Sequence, residues 1–176
     1  MLCLTIQQPH AELIVAGLKQ IEVRTWWPRF QLPVTVAIHA GKQIDGNAPD
    51  ALWEMLLSPG LTRSQARMYL RQCTRLGGVV GVARLTDRIR FGSDPYYRAQ
   101  GGGVRSMSAC LGREQWERLA SEHLNPLDWW NPKMVGFRFD QPVRFEKVIP
   151  CRGRQGFFEL PAEIEAQVTA QMGGER

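Results

Sequence analysis

The residues with the clearest capacity for chemistry sit together in GLKQIEVRTWW, Gly17 to Trp27. Lys19, Glu22, Arg24 and Trp26 there combine an ammonium, a carboxylate, a guanidinium and an indole. If Gln20 to Trp26 is a strand, Gln20, Glu22, Arg24 and Trp26 share one face, and Ile21, Val23 and Thr25 share the other. Ile21 and Val23 suit a core. Glu22 and Arg24 would lie about 7 Å apart at their backbone positions. Such a row can accept from an exocyclic amine, hold a phosphate and stack a ring. Lys19 could act as a general base if cationic neighbours lowered its pKa, or contact phosphate as a plain ammonium. The simpler reading is a Glu22–Arg24 or Glu22–Lys19 ion pair that only orders the surface.

Other candidates lie further along. His39 ends the apolar run VTVAIHA and His10 lies near a helix start; either could line the same rim or be structural. In CRGRQG, Arg152 and Arg154 offer charge, and Gly153 and Gly156 permit close backbone approach. Arg63, Arg67 and Arg71 recur at a spacing of four on one helical face, with Arg75 just beyond. Like charges so placed repel, and an anionic partner relieves that cost. Trp27 has the wrong parity for the charged face and is expected to pack, whereas Trp129 and Trp130 could form a second aromatic wall or a plug.

Composition narrows the partner. The net charge is +5, and of 22 basic residues only Lys19, Lys42, Lys133 and Lys147 are lysines. Arginine favours bidentate phosphate contacts and stacking. The 3 histidines show no metal-ligand spacing and the 4 cysteines form no CxxC pair, so no metal and no cofactor are expected. No Walker loop occurs, and the glycine run before Val104 reads as a plain loop. Gln7, Gln8, His10 and Glu12 interrupt the first apolar stretch, so no signal peptide or membrane span is expected and the chain reads as cytoplasmic.

These residues need a scaffold. Strands are expected at Leu2–Ile6, Gln20–Trp26, Val34–Ala40 (buried on both sides), Gly77–Phe91, Met134–Asp140, Val143–Val148 and Gly156–Leu160. A helix follows Pro9 and ends at Gly17 in the left-handed conformation; another opens at Pro161. The expected class is α+β, a small mixed β-barrel decorated by helices. One domain spans 1–176, with its core in 2–40, 77–91 and 134–160. A helical insertion after the third strand covers about 44–74, and a variable loop and helix cover about 92–132.

The same residues resemble the ASCH domain, the activating-signal-cointegrator homology family. Gly17, Lys19, Glu22 and Arg24 fill its G-x-K-x-x-E-x-R motif, after a Gln-Pro matched by Gln8 and Pro9. VAIHA, GGVVGVARLTD and VIPCRGRQGFFEL resemble its later blocks, in order. The resemblance implies a PUA-like fold and binding of RNA or a nucleoside in a cleft carrying the motif, through Lys19, Glu22, Arg24, Trp26, His39, Arg152 and Arg154, with DNA as an alternative partner. It also implies an enzymatic alternative: an amidohydrolase on 4-acetylcytidine-type nucleosides with Lys19 and Glu22 catalytic. In that branch a threonine stands where this chain has Glu22. A ribonuclease is the lesser alternative.

Charge reversal at Arg67 is expected to weaken RNA binding and flatten its salt dependence, read from isotherms at several salt concentrations.

Overall fold

The computed structural model describes residues 1–45, 75–91, 96–98, 104–106 and 135–173. Arg63, Arg67, Arg71, Trp129 and Trp130, with nearly all of the expected helical insertion at about 44–74 and most of the variable loop and helix at about 92–132, lie outside the described residues.

The strands are β1 (Leu2–Gln8), β2 (Ile21–Arg24), β3 (Val34–Ile44), β4 (Gly78–Phe91), β5 (Tyr96–Arg98), β6 (Val104–Ser106), β7 (Val135–Pro150) and β8 (Phe157–Glu159). Among the described residues the helices are α1 (His10–Val15) and α2 (Ala162–Gly173). Six strands run in the order β2-β7-β4-β3-β1-β8, and the short β5–β6 hairpin extends from β4. β1 and β3 are parallel and the other pairs antiparallel, so the sheet is mixed. Among the described residues no helix is long and apolar enough to cross a membrane.

β1 and β3 are buried on both faces. Leu4, Ile6, Val36 and Ile38 point into one cluster, which includes Phe137 and the α1 residues Ile14 and Val15. Cys3 and Ala37 point into the other, with Phe145 and the α2 residue Val168. Two glycines of β4 permit close packing. A Cβ on Gly81 would lie 2.3 Å from the Val143 carbonyl oxygen and 2.7 Å from Val15 Cγ1, and one on Gly78 would lie 2.5 Å from the Ile149 carbonyl oxygen.

Three expectations change. Met134–Asp140 and Val143–Val148 are parts of the single strand β7. Gln141 takes a φ of 49°, and the β4–β7 register shifts there, with Arg84 opposite Asp140 and Val82 opposite Val143. The Gln-Pro pair therefore makes a bulge rather than a turn between strands. Residues 96–98 and 104–106, expected to be loop, form the β5–β6 hairpin. The barrel is not closed by hydrogen bonds: among the described residues nothing pairs β2 with β8. Aromatic rings bridge the two ends instead. Trp26, just past β2, meets Phe157 of β8 at 5.4 Å between centroids, and Phe30 meets Phe157 at 4.9 Å, both edge to face.

Arg75 does not continue a basic surface. It is buried, its Nε donates to Glu12 Oε2 at 2.7 Å, and Nη1 and Nη2 donate to the Phe145 and Val80 carbonyls. Arg144 bonds the other Glu12 oxygen. Gln8 completes this junction. Its side chain donates to the Arg75 carbonyl at 3.0 Å, and its own carbonyl accepts from the Asp45 N–H at 2.7 Å.

Gly81→Ala should force β7 and α1 away from β4, with a loss of about 1 to 3 kcal/mol in stability. Denaturant melts will measure it.

Candidate functional site

α1 delivers the motif. Its C-terminus is a Schellman turn: Leu18 N–H donates to Leu13 O at 2.9 Å, and Gly17 N–H to Ile14 O at 3.0 Å. Gly17 has a φ of +75°, the left-handed conformation that favours glycine. Lys19 N–H also reaches Leu13 O at 3.0 Å, which turns the chain from α1 into β2. β2 then pairs with β7, Glu22 opposite Phe137 and Arg24 opposite Val135.

The charges are sunk into the protein rather than solvated. Lys19 and Glu22 are 6% and 5% exposed. Lys19 Nζ donates to Glu22 Oε2 at 2.6 Å and lies 3.1 Å from His10 Nδ1. His10 Nε2 lies 3.1 Å from Asp45 Oδ2. An ammonium has only protons to offer, so His10 accepts at Nδ1 and donates from Nε2 to the carboxylate. On the other side Arg24 Nη2 sits 3.1 Å from Glu22 Oε1 and donates to the Thr5 carbonyl at 2.9 Å. Burial alone would raise the Glu22 pKa, but Lys19, Arg24 and His10 outweigh it and hold the carboxyl below its ordinary value. Burial, then Lys19, lowers that of His10 against the pull of Glu22 and Asp45.

Beside this cluster lies a cleft of about 1090 Å³. Thr5 and His39 line its floor, Arg24 and Trp26 one wall, and the strap Cys151–Gly156 another. Arg24, Lys42, Arg152 and Arg154 are among the lining residues, and no carboxylate is among the described ones. Trp26 packs edge to face against Phe137 at 5.2 Å while lining the cleft. Trp27 packs away from it, with Arg88 5.4 Å over its ring. Among the described residues no group of three or more His, Cys, Asp or Glu could hold a metal ion.

The structure thus divides the expected site. Arg24, Trp26, His39, Arg152 and Arg154 come together in the cleft. Lys19 and Glu22 do not line it; they stand behind Arg24. Two contributors were missed. Lys42 reaches the cleft because β3 runs past Ala40 to Ile44, a continuation that the strand-like GKQI could have signalled. Thr5 was read only as part of a strand; its cross-strand position opposite His39 has no local sequence signal.

The profile of the ASCH domain matches residues 4–139, and the chain belongs to the ASCH domain family, with its PUA-like fold. Among solved structures it is similar to the crystal structure of ASCH from Zymomonas mobilis, at 14% identity and a TM-score of 0.50 over 96% of this chain and 93% of that one. A tyrosine-to-phenylalanine mutant of the Zymomonas mobilis protein also matches at 14% identity and a TM-score of 0.50, over 96% of each chain.

Glu22→Gln would leave the buried Lys19 and the half-buried Arg24 without their counter-charge, and should cost about 3 kcal/mol. Because the folded-state pKa of Glu22 is depressed, its stabilisation is present above the ordinary value of 4.5 and is lost as pH falls through the lower folded value. Acid titration of stability should therefore be flatter in Glu22→Gln than in the native protein.

Proposed function

We propose that this protein binds RNA, or a nucleotide fragment of it, through the cleft between β2 and the Cys151–Gly156 strap. One observation carries the reading: Arg24, Lys42, Arg152 and Arg154 line the cleft, and among the described residues no carboxylate does. Such a cavity concentrates anions, and its arginines suit phosphate oxygens. Trp26 adds an aromatic surface at the same wall, as single-stranded ligands use. Membership of a family typically associated with nucleic acid agrees with this.

In this reading Lys19 and Glu22 recognise nothing themselves. Glu22 anchors Arg24, and Lys19 balances the Glu22 charge. The amidohydrolase alternative needs Lys19 to act as general base on a water or hydroxyl beside the substrate. Its Nζ is instead bonded to Glu22 and His10, and Lys19 is buried outside the cleft lining. Purified protein incubated with 4-acetylcytidine and with a short RNA, beside Lys19→Ala, separates the two. Retention of RNA without turnover supports the binding module; deacetylation or cleavage lost in Lys19→Ala establishes the enzyme. A DNA strand of the same sequence, used as competitor, distinguishes the nucleic acids.

The double variant Arg152→Glu/Arg154→Glu should weaken binding of a single-stranded RNA, and should reduce the slope of log K against log salt by about 1.4 if each arginine meets one phosphate. Fluorescence anisotropy over a salt series measures both.

A further inference from the structure

Three buried side-chain atoms have no hydrogen-bond partner among the described residues and belong to residues lining the cleft: Thr5 Oγ1, Arg24 Nε and His39 Nδ1. They are neighbours by construction. Thr5 stands opposite His39 in the β1–β3 pair, and Arg24 is tied to the Thr5 carbonyl by the bond from Nη2. Buried polar atoms are almost always paired, and leaving them unpaired lowers stability. An unpaired set at a cleft floor points to an absent partner.

The character of each atom is fixed by chemistry. His39 Nε2 faces the Cys151 carbonyl at 3.2 Å, and a carbonyl can only accept, so Nε2 carries the proton. Burial lowers the His39 pKa, which keeps the ring neutral at pH 7 and leaves Nδ1 a lone-pair acceptor. Arg24 Nε can only donate, and the Thr5 hydroxyl can do either. A phosphate oxygen does not suit this floor, because it would set negative charge against the His39 lone pair. Phosphate suits the exposed Arg152, Arg154 and Lys42 instead.

Gly153 lies over two of the three atoms. A Cβ there would fall 2.8 Å from His39 Nδ1, 2.8 Å from Thr5 Oγ1 and 2.5 Å from His39 Cε1. Only glycine can lie so flat, and its Cα offers no polar group in exchange.

We infer that Thr5, Arg24 and His39 form a base-reading subsite, which takes the edge of a nucleobase in place of the Gly153 cover. An N–H of the base donates to His39 Nδ1, and a ring nitrogen or carbonyl accepts from Arg24 Nε or the Thr5 hydroxyl. The strap arginines keep the phosphate. This assignment rests on the nucleotide-binding reading above and adds to it the demand for a base.

Calorimetric titration of the full chain with cytidine 5′-monophosphate, ribose 5-phosphate and inorganic phosphate tests it, alongside RNA retention at low salt. The base-bearing ligand should bind at least about tenfold more tightly than ribose 5-phosphate. That ratio should fall about fivefold or more in His39→Gln, which keeps a donor for the Cys151 carbonyl but removes the Nδ1 acceptor, and in Thr5→Val. Melting curves establish that each variant is folded, and Thr5→Val decides alone if His39→Gln is not. Equal affinity for the two sugar phosphates, or a ratio unchanged in the folded variants, overturns the subsite while the phosphate-binding cleft stands. Failure to bind any of these ligands or the RNA overturns the cleft reading and the subsite with it.

Discussion

The carboxylate of Glu22 is the constraint around which this molecule is arranged. A buried carboxylate is unfavourable unless its charge is answered, and here Lys19 answers one oxygen and Arg24 the other. Each partner also comes from a segment that must be held in place. Lys19 is set by the Schellman turn after α1, and Arg24 is carried on β2 and bonded across to the β1 carbonyl of Thr5. One buried charge therefore couples the helix end, the edge strand β2 and β1, which neighbours the opposite edge of the sheet. Its effect at the cleft is indirect: it fixes the direction in which one guanidinium points.

The curvature of the sheet makes that direction useful. β2 and β8 stand at opposite ends of the hydrogen-bonded order, yet Trp26 and Phe30 reach Phe157. Because rings rather than backbone bonds join the ends, a gap stays open beside Trp26. The β7–β8 connection folds over that gap and supplies Arg152 and Arg154. A barrel fully closed by backbone pairing would have less room there.

Much of this was legible from local rules. The parity of Trp27 marked it as packing, and a glycine after an apolar helix implied the left-handed turn at Gly17. Period-two alternation did not carry through Trp26, because β2 ends at Arg24, and Val23 and Thr25 line the cleft beside Arg24 and Trp26 while Glu22 does not. The apolar density of Val34–Ala40 correctly implied burial on both sides. The failures were non-local or came from ambiguous punctuation. Gln141-Pro142 reads as a turn in any short window, and only pairing with β4 carries the strand through it. Arg75 looked like the continuation of a basic stripe because nothing nearby names Glu12 as its partner. That Lys19 faces inward, away from the cleft, depends on His10 and Glu22 closing around it, which strand parity cannot express. Short strands such as β5 and β6, beside a glycine run, have too little pattern to be distinguished from a loop.

Gln8 touches both ends of one long excursion of the chain: its carbonyl holds Asp45, and its side chain holds Arg75. Departure and return are thereby stapled to a single residue of β1. The free energy of closing a loop grows only slowly with length, by about 0.6 kcal/mol for each doubling. Changing the number of residues between Asp45 and Arg75 therefore changes the closure cost only slightly. Gln8 thus sets where residues 46–74 leave and rejoin the sheet, and that position belongs to β1 rather than to the segment itself.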